Sequence, residues 1–210
     1  MDTYWILFIG VALASWLVSA LMEQRFKKFS KVYIPLTGRD VAEKMLRDNG
    51  IYDVKVVSTP GHLTDHYDPR TKTVNLSQSV YSSNSVAAAA VAAHECGHAL
   101  QHAHEYAPLQ MRTALVPVVS FASRWMTWVL LGGIILFKTF PNLLLVGIIL
   151  YATTTLFSFI TLPVEINAST RAIQWLEQAG ITARQTTPMA ASALRSAAYT
   201  YVVAALSSLG

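Results

Sequence analysis

Ala92-Ala93-His94-Glu95-Cys96-Gly97-His98-Ala99-Leu100 is the stretch on which the reading of this chain turns. On a helix, positions four apart lie one above the other, so His94 and His98 direct their rings at one point. Glu95 flanks the pair, poorly placed to ligate the same ion but able to reach a water bound to it. Two imidazoles with such a carboxylate form the H-E-x-x-H pattern, through which zinc hydrolases lower the pKa of a water and polarise a carbonyl. The competing reading is a chance match in an alanine-rich helix. The flanks predict that helix over about 85–106: Ser83, Asn84 and Ser85 offer N-caps, Val86 to Ala93 is almost all alanine, and Pro108 closes the run. Few charges, with Ala89, Ala90, Ala93 and Gly97, predict close packing on all sides.

A catalytic zinc usually has three protein ligands and an open position. His102 continues the four-residue spacing, yet along an unbroken helix it lies roughly 12 Å from His94 at 1.5 Å per residue. One ion cannot span that, so His102 and His104 are expected beside the site or at the surface. Glu165, in Leu162-Pro163-Val164-Glu165-Ile166-Asn167-Ala168-Ser169, is the better candidate. A carboxylate beside a long apolar run is costly unless it is paired or bound to metal. Its other reading is a helix-start acid, with Pro163 in the first turn and the charge favouring the helix dipole.

These residues, together with Leu63-Thr64-Asp65-His66-Tyr67-Asp68-Pro69, carry a resemblance that covers nearly the whole chain. The sequence resembles the neutral zinc metallopeptidases, the YugP-like bacterial membrane proteins, and more distantly the HtpX-like membrane gluzincins. The resemblance implies a zinc centre of His94, His98 and Glu165 with Glu95 as catalytic base. One departure stands out: Ser169 occupies the position where the HtpX-like pattern has an Asp that supports the metal ligands.

Composition sets the class. Of 210 residues, 53% are hydrophobic and 13% charged, which predicts a membrane-embedded unit with a small polar portion. The single cysteine, Cys96, excludes an internal disulfide; inside the motif it invites a ligand reading, but it projects off the His94/His98 line and suits a small buried filler. The net charge of +4 is concentrated in Arg25, Lys27, Lys28 and Lys31, with no basic stripe interleaved with aromatics, so a lipid bilayer is expected as a partner and nucleic acid is not.

Residues 3–22 are long and apolar enough to span a bilayer, and the basic residues that follow predict a cytoplasmic end for this span and an N-terminus outside. A cleaved signal peptide competes, but no basic region precedes the apolar run. Residues 34–85 are the polar portion, with a short helix from Thr37 and two alternating stretches, Ile51 to Ser58 and Thr71 to Leu76. The second is either an edge strand that aligns substrate, over Lys72 to Leu76, or half of an ordinary hairpin. His62, Asp65, His66 and Asp68 crowd between them, open to readings as a second metal site, a substrate pocket or a polar loop. Asp65 could orient a ligating imidazole.

Two further spans are expected at 114–137 and 143–162, with Pro117 kinking the first and Arg124 facing a carboxylate or the interior. Two spans return the chain to its starting side, so Glu165 lands on the face that carries His98. Arg171 is expected to pair near the site or to solvate the surface. A last helix from Thr186, a candidate fourth span over 190–209, offers Tyr199 or Tyr201 as a donor to an oxyanion. The sequence thus predicts a mainly α membrane protein: one domain over 1–210, transmembrane helices, a zinc helix and a small α+β cytoplasmic portion. The function expected is a zinc endopeptidase acting on peptide or protein substrates; the alternative is a non-catalytic adaptor in which zinc only locks helices together.

Overall fold

The computed structural model describes residues 3–207. Its elements run α1 (Thr3–Phe29), α2 (Gly38–Asp48), β1 (Lys55–Thr59), β2 (His66–Asp68), β3 (Thr73–Ser77), α3 (Gln78–Tyr81), α4 (Val86–Ala103), α5 (Ala107–Ile135), α6 (Pro141–Gln178) and α7 (Thr187–Ser207). Helices dominate, and three short strands form one sheet.

Alanine explains the centre. Ala87 to Ala90, Ala92, Ala93 and Ala99 on α4 are all buried, and side chains this small let neighbours close in from every side. Val41, Met45 and Leu46 of α2 cover one flank, Val74 and Leu76 of β3 another, and Ala172 and Leu176 of α6 with Leu194 of α7 a third. Local chemistry fixes the ends. Thr37 and Asp40 form a reciprocal capping box at α2, and the Ser85 hydroxyl accepts the Ala88 N–H at the start of α4. The Trp175 indole N–H donates to Asp48 at 3.2 Å, tying the end of α6 to α2.

Three expectations change. The sheet order is β1-β3-β2, with β1 parallel and β2 antiparallel to β3. The stretch 72–76 is therefore the central strand with both edges paired, neither an edge strand nor half of a simple two-stranded hairpin. Second, α4 ends at Ala103 rather than near 106: the chain turns through His104 and Glu105, the latter at φ 49°, and Pro108 opens α5. Third, α6 does not stop at Pro163 but runs through it for 38 residues. Glu165 thus sits within a helix, which removes its reading as a helix-start acid.

Helices α5 and α6 are long and apolar enough to cross a membrane. They pack on each other as a hairpin and turn large apolar residues outward, among them Trp128 (70% exposed) and Ile135 (79%). Helix α1 likewise exposes Leu13, Trp16 and Leu17. Arg124 is exposed on α5 and makes no ion pair with a carboxylate among the described residues, against the expectation that it would be covered.

Candidate metal centre

The closest meeting of α4 and α6 builds the site. A Cβ on Gly97 would lie 2.7 Å from the Ala168 carbonyl oxygen, so only glycine lets the two backbones approach this closely. That approach brings the turn carrying His94 and His98 against the turn carrying Glu165. The Glu165 Oε2 atom lies 3.3 Å from His94 Nε2 and 3.5 Å from His98 Nε2, and one ligand atom from each of the three residues falls within 4.8 Å of the others. The imidazole rings stand edge to face, 4.8 Å apart.

This donor set fits a zinc ion. Two imidazole nitrogens and a carboxylate oxygen converge on one point, and the far side of each ring is held. The His98 Nδ1–H donates to Gln101 Oε1 at 3.0 Å, and the Gln101 amide donates to the Val164 carbonyl (2.8 Å) and to Asn167 Oδ1 (3.0 Å). Ser169 Oγ lies 3.1 Å from His94 Nδ1. Both rings are thereby oriented with Nε2 inward, the arrangement that ligating histidines need. The buried Glu165 carboxylate faces both imidazoles, which offset the cost of its charge. For His98, burial disfavours the charged ring, and Glu165 and Glu95 overcome this and raise its pKa.

An open cavity of about 770 Å³ leads to the three ligands. Glu95, 8% exposed, lines it, as do Asp65, His66, Arg112, Glu165 and Tyr201. A smaller cavity that shares His94, Glu95, Glu165 and Tyr201 with the first is also lined by Ser169. Tyr201 rather than Tyr199 faces this space.

The remaining candidates have other partners. Asp65 accepts hydrogen bonds from the Ser77 N–H at 2.7 Å and from its hydroxyl, so its carboxylate anchors the end of β3 rather than an imidazole. His66 Nδ1 contacts the Thr64 carbonyl at 2.8 Å and stands apart from the three-residue cluster. His102 Nδ1 meets the Tyr67 hydroxyl at 2.8 Å, and burial pushes the Tyr67 phenol up to about 12. Arg171 donates to Asn167 at 2.8 Å and approaches His104 at 3.5 Å, extending the network behind His98. Cys96 is fully buried, its thiol donates to the Ala42 carbonyl, and burial raises its pKa.

Two residues near the centre were not anticipated from sequence. Gln101 looked like any residue late in a helix, and only the fold shows it bridging α4 and α6. Arg112 has a readable signal, a lone cation just before the apolar run of α5, but its direction was not readable.

The comparisons agree with this chemistry. A family model described as "Putative neutral zinc metallopeptidase" matches residues 4–210, and the chain belongs to that family. It is 44% identical over 190 residues to a Bacillus subtilis (strain 168) protein described as "Putative membrane protease YugP", covering 90% of this chain and 84% of the relative. No solved structure matches.

Proposed function

We propose that this member of the neutral zinc metallopeptidase family is a membrane-embedded endopeptidase in which His94, His98 and Glu165 hold Zn²⁺ and Glu95 is the catalytic base. The observation that carries the reading is the convergence of these three ligands at the floor of an open cavity that Glu95 also lines. Bound there, the ion supplies a lowered pKa for water and polarisation of the scissile carbonyl. The chain's own residues do the rest. Glu95 takes the proton of the attacking water and returns it to the leaving amine. Gln101 and Ser169 keep the imidazoles aimed, and Tyr201 borders the reacting groups. With β3 central, strand pairing with an extended substrate passes to β2, an edge strand whose residues line the cavity.

In this reading α1, α5 and α6 cross the bilayer, α7 is a candidate fourth span, and the residues form one unit. The basic residues Arg25, Lys27, Lys28 and Lys31 support a reading in which the site faces the cytoplasm at the cell membrane. The substrates are proteins at or in that membrane. The rival, a zinc-locked adaptor, needs a fourth protein ligand to close the site. His66, its best candidate, is turned to the Thr64 carbonyl instead.

The test is zinc content and proteolysis in detergent for the wild type, Glu95→Gln and Glu165→Ala. One zinc in the wild type, its loss in Glu165→Ala, and retention without cleavage in Glu95→Gln are expected. A Glu95→Gln variant that cleaves as fast as the wild type would remove the assignment of the base.

A further inference from the structure

Arg112 sits in the second turn of α5, at the edge of the candidate metal centre, with its side chain 32% exposed and one donor left unmatched. Its Nε is buried and has no hydrogen-bond partner among the described residues. Its nearest anion, Glu165 Oε1, lies 3.8 Å from Nη1, beyond hydrogen-bond length. Among the described residues, none of the other carboxylates lining the cavity, Asp65, Asp68, Glu95 and Glu105, forms an ion pair with it. Asp65 is held by Ser77, and Asp68 accepts from the Arg70 N–H and the Thr71 hydroxyl. A permanently charged fork in the cavity wall, with its buried Nε unmatched and its other donors turned to open space, suits an occupant of the cavity that brings negative charge.

We infer that Arg112 is a catalytic residue that receives the charge developing on the carbonyl oxygen of the peptide bond under attack. The inference rests on the hydrolase reading above. As the water oxygen bonds to the carbonyl carbon, the C=O π pair moves onto the carbonyl oxygen and the water's proton moves to Glu95. When the C–N bond breaks, its electron pair leaves with the nitrogen, which takes that proton. The carbonyl re-forms, and the charge facing Arg112 is discharged. The products are one carboxylic acid and one amine, with no other reactant. A cation already in place in a cavity wall needs no reorganisation at the moment of reaction, which is why such a group lowers the barrier. Tyr201, lining the same cavity, adds only a neutral hydroxyl.

The test compares two probes on the zinc-loaded protein in detergent: a phosphoryl dipeptide, whose phosphorus carries a spare anionic oxygen, and a hydroxamate of the same dipeptide, which has none. Zinc affinity is measured in parallel by chelator competition. In Arg112→Gln, zinc and hydroxamate binding are expected to persist while phosphoryl-dipeptide affinity falls about 10- to 100-fold, the range of a lost charge-assisted hydrogen bond. Arg112→Lys, which keeps the charge without the fork, should fall between. Peptide hydrolysis should lose kcat with KM little changed. If zinc and both probes weaken together, Arg112 only steadies Glu165 and the inference is overturned. Equal phosphoryl-dipeptide affinity in wild type and Arg112→Gln overturns it as well. A wild type that holds zinc yet binds neither probe overturns the hydrolase reading itself, and this inference with it.

Discussion

Helix α6 makes two helix contacts that look alike and do opposite things. In its first half it packs on α5, where a Cβ on Gly133 would lie 2.7 Å from the Leu144 backbone; in its second half it packs on α4, where a Cβ on Gly97 would lie 2.7 Å from Ala168. Both joints depend on a residue without a side chain. Around the first, the outer surface is apolar and open, with Ile149 56% exposed. Around the second, alanines are closed on all sides and the interior holds Glu165, His98 and Gln101. The lesson is that a small-residue contact says how closely two helices approach. What that closeness can be used for depends on what the neighbours bury.

The sharpest way to break the comparison is to remove a proposed zinc ligand from one joint and an apolar residue from the other. Glu165→Ala should reduce zinc content to background by atomic absorption, while Ile149→Ser should leave it at the wild-type level. An Ile149→Ser protein without zinc would show that the two halves of α6 are not separable. Next in size are the glycines. Gly97→Ala and Gly133→Ala should each destabilise by about 1–3 kcal/mol through overpacking, read as a fall in Tm, but only Gly97→Ala should also release zinc.

Smaller effects sharpen the second joint. Gln101→Leu removes the acceptor for His98 Nδ1 and should weaken zinc binding about 10- to 100-fold in chelator competition. Ser169→Asp puts a charged acceptor behind His94 and should tighten zinc binding, since a carboxylate makes the imidazole a stronger ligand. Smallest is Ser85→Ala, which removes the cap of α4 at a cost of about 1 kcal/mol in denaturant unfolding, with zinc affinity unchanged.

How much of this was legible in the sequence follows from the range of each interaction. His94, Glu95 and His98 share one helix, so their juxtaposition needs only helical periodicity. Glu165 stood out because a carboxylate beside an apolar run requires an explanation, but its reading as a ligand rested mainly on the family resemblance. Its place in mid-helix was not readable, because Pro163 carries the same local signal whether it starts a helix or lies within one. The α6 helix continues through it on tertiary packing, with Val164 and Ala168 buried against their neighbours. The strand order was illegible for a similar reason: alternation marks Val74 and Leu76 as buried but does not say which strands flank them. Arg112 and Gln101 act across elements 53 and 63 residues apart in the chain, and nothing local announces such partners.

The unbroken course of α6 also makes it a lever. From Pro141 to Glu165 the helix extends about 36 Å at 1.5 Å per residue, so in the proposed arrangement, in which its far end lies in the bilayer, a change of tilt of about 5° would carry the carboxylate roughly 3 Å. That is comparable to the 3.3 Å separating it from His94. A membrane of altered thickness would therefore be felt at the centre as a change in reach between its two halves.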